Sequence, residues 1–168
     1  DKEDIIQAVI DLGVSYEFSG DFDTAKKYYL SAVDSSGTIK YYAGIGRAIR
    51  NIGFLQEEEN KLPEALASYS EAVKSFLKVQ RNEDAIRTFI NIGIVYQRDH
   101  NYEKGLETFL QAKKYIDDSI DKELMISLYN YIGNSYDYLN DYSKALENYL
   151  EAYRLANKFD DAVIISET

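Results

Sequence analysis

Arginine and asparagine side chains are the residues of this sequence best suited to hold a ligand. Residues i, i+3, i+4 and i+7 of a helix share one face, and in one segment these are Arg47, Arg50, Asn51 and Phe54. A guanidinium group can hold a carboxylate through paired hydrogen bonds. An amide in the middle of a helix lowers helix propensity, so Asn51 on the same surface calls for a reason. This face therefore predicts contact with an acidic segment.

Two later segments of the chain present faces of the same kind. One carries Arg87, Ile90, Asn91, Ile94 and Arg98, and the other carries Asn130, Tyr131, Asn134 and Tyr138. Two interpretations stay open for some of these residues. The isoleucines either contact a ligand or pack against a neighbouring helix. The arginines either contact a ligand or form ion pairs on the surface, which contribute little to stability.

An internal repeat organises these faces. Four glycines stand forty residues apart, each after a leucine or isoleucine: Gly13, Gly53, Gly93 and Gly133. A small residue, an aromatic residue and an alanine follow in each block, as in Ala25, Tyr29 and Ala32. Their spacings of four and three place them on one face of a second helix. The unit is predicted to be a helix, a tight turn and a helix, and such units must stack to bury their apolar faces.

Small residues leave room for the two helices of a unit to approach closely. Tyr16 and Tyr29 are expected to fill the space beside Gly13, and the Tyr29 hydroxyl is expected to reach water. The turns are expected at Gly20, Asn60, His100 and Asn140, and all of these except His100 are residue types favoured where a helix ends in a left-handed residue. The expected N-caps are Asp21, Asn101 and Asp141, and Pro63 falls early in a second helix.

This pattern resembles that of the tetratricopeptide repeat family, whose units combine Leu-Gly and a tyrosine in a first helix with alanine and an aromatic residue in the second. The third block matches it with Phe89, Ile92, Gly93 and Tyr96. The resemblance implies an all-α fold, an α-solenoid of four helix-turn-helix repeats forming a right-handed superhelix, plus the start of a fifth. Two departures are the missing late proline and a period about six residues longer than the usual value of about 34. The longer period implies helices longer than those usual in this family.

A single array is expected to run through residues 1–168. Its units are 1–40, 41–80, 81–120 and 121–160, and residues 161–168 are expected to begin a further helix. Because the first residue is Asp and the last block is incomplete, the sequence is expected to be a piece of a longer protein. Similar long-period repeats occur in bacterial peptide-sensing regulators, in sensor kinases and transcription factors, and in eukaryotic adaptors.

The resemblance also implies a function. First helices of this family line a concave groove, and asparagines at the positions of Asn51 and Asn91 would hydrogen-bond the backbone of an extended peptide. The first and fourth units depart, with Asp11 and Tyr131 there. The expected function is a non-enzymatic scaffold that binds an extended, partly acidic protein segment. A regulatory or sensory segment of a larger bacterial signalling protein is the alternative, and self-association through the C-terminal unit is a weaker one.

Composition narrows the classes of partner. The net charge of −10 would repel nucleic acid and anionic membranes, so a protein or peptide partner is expected. The sequence contains no cysteine and no apolar stretch long enough to span a bilayer. A cytoplasmic location is preferred, and an extracytoplasmic or periplasmic sensor segment is the alternative.

Catalysis, cofactors and metal binding are not expected. His100 is the only histidine and falls in a predicted turn, where a structural role outweighs that of a base or ligand. The acidic residues are expected on solvated helix faces, and the glycines do not form a phosphate-binding loop.

Overall fold

The structure, a computed structural model, describes the backbone of residues 1–166 and the side chains of residues 1–157. Residues 1–166 contain eight α-helices and no strand, which confirms the predicted all-α class. The helices are α1 (Lys2–Phe18), α2 (Phe22–Ile39), α3 (Tyr42–Glu58), α4 (Leu62–Lys78), α5 (Asn82–Arg98), α6 (Tyr102–Lys113), α7 (Lys122–Tyr138) and α8 (Tyr142–Ser166). Within the described residues, no helix is long and apolar enough to cross a membrane.

Side chains cap the helices where the sequence predicted caps. The backbone N–H of Thr24 donates to Asp21 Oδ1 at 3.1 Å at the start of α2. Asn101 and Asp141 accept in the same way at the starts of α6 and α8. Each of these bonds satisfies one of the N–H groups that a helix start leaves without a partner. Pro63 lies in the first turn of α4, as predicted.

Left-handed residues connect the helices. The four predicted turn residues, Gly20, Asn60, His100 and Asn140, all have positive φ. Lys40 and Gln80 also have a φ of 57°, although neither is a residue type that favours this conformation. The turn geometry therefore recurs after both helices of a pair, and residue type alone identified only some of its positions.

The recurring contact inside each helix pair joins a glycine to an aromatic ring. Tyr29 packs on Gly13, Tyr69 on Gly53, Phe109 on Gly93 and Tyr149 on Gly133. A Cβ atom added to any of these glycines would lie only 2.3–2.8 Å from the nearest ring atom. The absence of a side chain therefore allows the ring of the second helix to lie against the backbone of the first.

The chain divides into two compact units, Asp1–Thr88 and a second that starts at Phe89. The core of the first unit contains Ile6, Ile10, Ala25, Tyr29, Ala32, Ala48, Ile52 and Leu55. Phe76 and Ala85 add a further buried cluster between α4 and the beginning of α5. The assignment to four repeat blocks stays a prediction.

In the second unit, α6 packs on α5 and α7 through one ring. Phe109 is fully buried. It covers Gly93 on α5 and stacks on Tyr131 of α7 with the ring centroids 5.3 Å apart. α6 ends early, at Lys113, and the connection to α7 buries Ile120.

Two expectations differ from the structure. Tyr29 is fully buried, and its hydroxyl donates to Glu17 Oε2 at 2.7 Å, so the prediction that it reaches water was wrong. The further helix expected from residue 161 is not separate up to Ser166, because α8 continues to that residue without a break. Residues 167–168, and the side chains from residue 158 onward, lie outside the described part of the chain.

Candidate functional site

Arg47 lies on α3 and pairs with two residues of α1. Its Nη1 donates to the side-chain oxygen of Gln7, and its Nη2 lies 3.6 Å from Asp11 Oδ1. The Asp11 side chain is 61% exposed, so water screens this ion pair strongly. The carboxylate of a ligand can therefore replace Asp11 as the partner of Arg47 with only a small loss of free energy.

Arg50, one turn further along α3, is held more firmly. Its Nη1 lies 3.6 Å from Asp84 Oδ1, and its guanidinium group lies 5.8 Å from the centre of the Phe76 ring. Asp84 also accepts hydrogen bonds from Arg81. Burial lowers the pKa of Arg50, and the Asp84 carboxylate opposes that shift. The guanidinium stays charged, and both Asp84 and Phe76 belong to the first unit.

Asn51 is part of an internal network around Tyr29. Burial and the hydrogen bond to Glu17 raise the pKa of Tyr29, and the nearby side chain of Asn51 opposes this rise. Burial raises the pKa of Glu17, and the hydrogen bond from Tyr29 opposes this shift. Tyr69 donates to Glu57 in the same way, at 2.9 Å. The amide in the middle of α3 therefore lies beside this buried tyrosine.

The other predicted residues of the first unit are more exposed. Phe54 is 37% exposed. Arg87 Nη2 donates to Glu83 Oε1, one turn earlier on α5, at 2.8 Å. This ion pair is exposed on both sides, and such pairs contribute little to stability. The arginines of the first unit are therefore members of ion pairs, one of the two interpretations left open by the sequence.

A pocket of about 340 Å³ lies in the second unit. Its walls are Ile94, Gln97 and Arg98 of α5, His100 of the following turn, Tyr102 of α6, and Tyr131 and Tyr138 of α7. Three of these residues, Ile94, Arg98 and Tyr138, were predicted to contact a ligand. The pocket is lined mostly by apolar surface.

Aromatic contacts shape this pocket. The rings of Tyr102 and Tyr138 stack with their centroids 4.4 Å apart. His100 Nδ1 lies 3.0 Å from the Tyr102 hydroxyl, so the turn and the start of α6 are joined. Gln97 Nε2 donates to Ser135 Oγ at 2.9 Å. The pocket therefore has a stacked wall and an amide whose orientation is set by a hydrogen bond.

The remaining predicted residues do not line this pocket. Ile90 is buried, in line with the packing interpretation, and Asn91 is half-buried while Asn130 is exposed. Asn134 Oδ1 accepts a hydrogen bond from the Tyr149 hydroxyl at 2.7 Å.

Sequence reasoning missed Gln97, His100 and Tyr102 as pocket residues, and it placed Tyr131 on the right face without selecting it. The signal that was available for Gln97 is its place one helical turn after Gly93, where glutamate stands in the first two blocks. Among the described residues, no group of three or more histidine, cysteine, aspartate or glutamate side chains is placed to hold a metal ion.

Paired helices that repeat the same glycine–aromatic contact, with a pocket between helix faces, define a helical-repeat protein. Two family models described as tetratricopeptide repeat match residues 6–38 and 84–158, which together make up more than half of the chain. The chain belongs to the tetratricopeptide repeat family. Repeats of this family build extended surfaces for protein interaction. We predicted that the 40-residue period marks a long-period variant of the family, and this stays a prediction.

Three solved structures have a similar fold. BtubC (BKLC) from P. vanneervenii is 17% identical with a TM-score of 0.80, over 95% of this chain and 66% of that protein. Aspartyl phosphate phosphatase F from Bacillus subtilis is 17% identical with a TM-score of 0.85, over 99% of this chain and 44% of that protein. The apo form of RapI is 15% identical with a TM-score of 0.80, over 96% of this chain and 59% of that protein.

At these identities the likeness shows the fold alone. The chain spans between 44% and 66% of the lengths of these three proteins. No curated protein matches the sequence closely enough to count as a relative.

Proposed function

We propose that this chain is a protein-interaction scaffold that binds an extended, partly acidic segment of a partner on its odd-numbered helices. The observation that carries the proposal is the pocket of the second unit, where Ile94, Arg98 and Tyr138 line one concave space. Its volume of about 340 Å³ falls at the lower end of the range of about 300–1,000 Å³ for ligand sites. A pocket of this size suits one or two side chains of an extended segment.

In the first unit, Arg47 and Arg87 are the proposed contacts for acidic residues of the partner. Their present partners, Asp11 and Glu83, are exposed, so exchanging them for a ligand carboxylate costs about 0.2–1 kcal/mol each. We propose that Arg50 does not contact the partner segment, because Asp84 and Phe76 already hold its guanidinium group. Its proposed role is to keep this face of α3 in position.

Selection of short random peptides displayed on phage against the whole chain tests this proposal. We expect the selected peptides to be enriched in aspartate and glutamate. A fluorescein-labelled copy of the strongest binder should lose about tenfold or more in affinity for Arg47→Glu, since a lost charge-assisted hydrogen bond and a new repulsion are together worth about 1.4 kcal/mol or more. Fluorescence anisotropy measures the change.

The matched control is Arg154→Glu, which reverses an equally charged side chain that is 70% exposed on α8. It should bind the same peptide as the parent chain does. Selected peptides without acidic residues, or equal affinity of the Arg47→Glu and Arg154→Glu variants, would contradict the acidic-segment proposal.

A second candidate is a regulatory segment of a larger bacterial signalling protein, favoured by the fold shared with a protein named an aspartyl phosphate phosphatase.

We propose that this chain itself performs no chemical step. A receiver domain labelled with acetyl phosphate should therefore lose its phosphoryl group at the same rate with and without the chain. A faster loss would overturn this part of the proposal.

A further inference from the structure

A hollow of about 460 Å³ lies between α6 and the end of α7. Its walls contain three half-buried leucines, which are Leu106 and Leu110 of α6 and Leu139 at the end of α7. The other lining residues all belong to α6 and are Glu103, Glu107, Gln111 and Lys114. This leucine hollow is lined mostly by apolar surface, and it shares no residue with the pocket formed by α5, α6 and α7.

The packing of the helices does not require these three leucines together. Leu139 is the C-cap residue of α7, and the residues that follow α1, α3 and α5 in the same way are all polar: Ser19, Glu59 and Asp99. At the positions forty and eighty residues before the three leucines stand two mixed sets: Leu66, Ser70 and Asp99, and Lys26, Leu30 and Glu59. Of these three sets, only the one in the leucine hollow is wholly apolar. Contiguous apolar surface that folding does not require marks a site of interaction.

Carboxylates border one part of the leucine hollow. Glu103 and Glu107 lie one turn apart on α6, and both are exposed. Neither forms an ion pair with another residue of the part of the chain that the structure describes. Lys114 stands seven residues after Glu107, about 10 Å further along the helix. The end of the hollow at Glu103 and Glu107 is therefore negative and complements a cationic group.

We propose that the leucine hollow binds an amphipathic helix of a partner protein, with leucine-like side chains on the face that enters the hollow and a lysine or arginine beside them. Leu106 and Leu110 lie one turn apart on α6. A helix laid along α6 can therefore place side chains of its own i and i+4 positions against them and Leu139. Its cationic residue faces Glu103 and Glu107. This site does not depend on the proposed binding of an acidic segment.

Charge decides against two other occupants of an apolar hollow. A second copy of this chain has a net charge of −10, and bringing two hollows with acidic borders together places like charges against each other. An anionic membrane surface would be repelled in the same way. A segment that is both basic and apolar satisfies the carboxylates as well as the leucines.

Helical peptides displayed on phage and selected against the whole chain test the inference. The library varies one helix face among leucine, alanine, lysine and glutamate, in peptides of about 18 residues, which are long enough to form a helix. We expect selected peptides to carry leucines four positions apart with a lysine beside them. Selected faces without leucine, selected faces rich in glutamate, or no enrichment at all would overturn the inference.

Leu139→Ser is the variant that tests the apolar wall. A serine is the C-cap residue of α1, so α7 should end normally in this variant. A labelled copy of the strongest selected peptide should lose about tenfold in affinity, measured by fluorescence anisotropy. Leu30→Ser is the matched control, since it removes a leucine that is 48% exposed on α2, and it should bind as the parent chain does. Equal affinities of the two variants would contradict the proposal.

A chain with a net charge of −10 attracts any cationic peptide, so a second pair of variants separates the hollow from the overall charge. Glu107→Lys should weaken binding of the selected peptide by about fivefold or more. Glu71→Lys makes the same change of net charge at a side chain of α4 that is 56% exposed, and it should have a much smaller effect. Equal losses would show that overall charge, and not this hollow, attracts the peptide.

Two further measurements keep this inference separate from the scaffold proposal. Arg47→Glu should not weaken binding of the helical peptide, and the acidic peptide of the scaffold proposal should not displace it. Mutual displacement would show one shared site and would overturn the inference, whereas the scaffold function would stand. Light scattering should give the same mass for the parent chain and Leu139→Ser. A larger mass for the parent chain would show that a second copy occupies the hollow, against the proposal.

Discussion

Phe109→Ala is expected to destabilise the folded chain by about 3–5 kcal/mol, the range for removing a buried aromatic side chain. The Phe109 ring is fully buried. It covers Gly93 of α5 on one side and stacks on Tyr131 of α7 on the other. Its removal leaves a cavity that the rigid backbones of three helices cannot close. The loss should affect both the pairing of α5 with α6 and the packing of α6 on α7.

Urea unfolding followed by circular dichroism measures this loss as a lower midpoint at an unchanged slope. Phe18→Ala is the matched control, since the Phe18 side chain is 86% exposed at the end of α1. It should change the free energy of unfolding by no more than about 0.5 kcal/mol. Similar midpoints for the two variants would show that Phe109 is not part of a tightly packed core.

The helix pairs were predictable because their signals are local. Apolar and small residues at spacings of three and four define a helical face from a few neighbouring positions. Capping residues such as Asp21 act within three residues of their own position. The match between Gly93 and Phe109 was also visible, since a position without a side chain and a large ring recur together along the sequence.

Backbone conformation at some turns was not predictable from residue type. Lys40 and Gln80 adopt positive φ, although a side chain makes this conformation costly. Their conformation is set by the path that the chain must take to bring the next helix back against the previous one. The packing of the helices therefore outweighs the preference of these two residues.

The site was only partly predictable because its contacts join residues from different helices. The face of Arg47 and Arg50 was visible, but their partners Asp11 and Asp84 come from α1 and α5. Tyr102 belongs to a second helix, and nothing in its local pattern places it against Tyr138. Spacing predicts which side chains share a helix face, whereas the prediction of a pocket also requires the positions of the neighbouring helices.

Glycine within a helix costs stability unless the space left by its missing side chain is filled by a neighbouring group. Gly37 and Gly93 of this chain are examples of an unfilled and a filled space. Gly37 lies exposed near the end of α2 with no atom within 4 Å of the position of an added Cβ. Gly37→Ala should therefore stabilise the chain by about 0.5 kcal/mol, through helix propensity and a restricted unfolded state. This variant is the control for the same change at Gly93.

Gly93→Ala is expected to destabilise the chain by about 2 kcal/mol, although it brings the same gain in helix propensity. The new Cβ would lie 2.3 Å from Phe109 Cε1 and 2.4 Å from Cζ. The ring cannot swing aside because it is fully buried and stacked on Tyr131, so α5 and α6 must separate. Thermal unfolding should show a lower midpoint for Gly93→Ala and an equal or higher one for Gly37→Ala. An increase in both would mean that the ring yields easily, and that close approach of the helices is not what requires glycine at position 93.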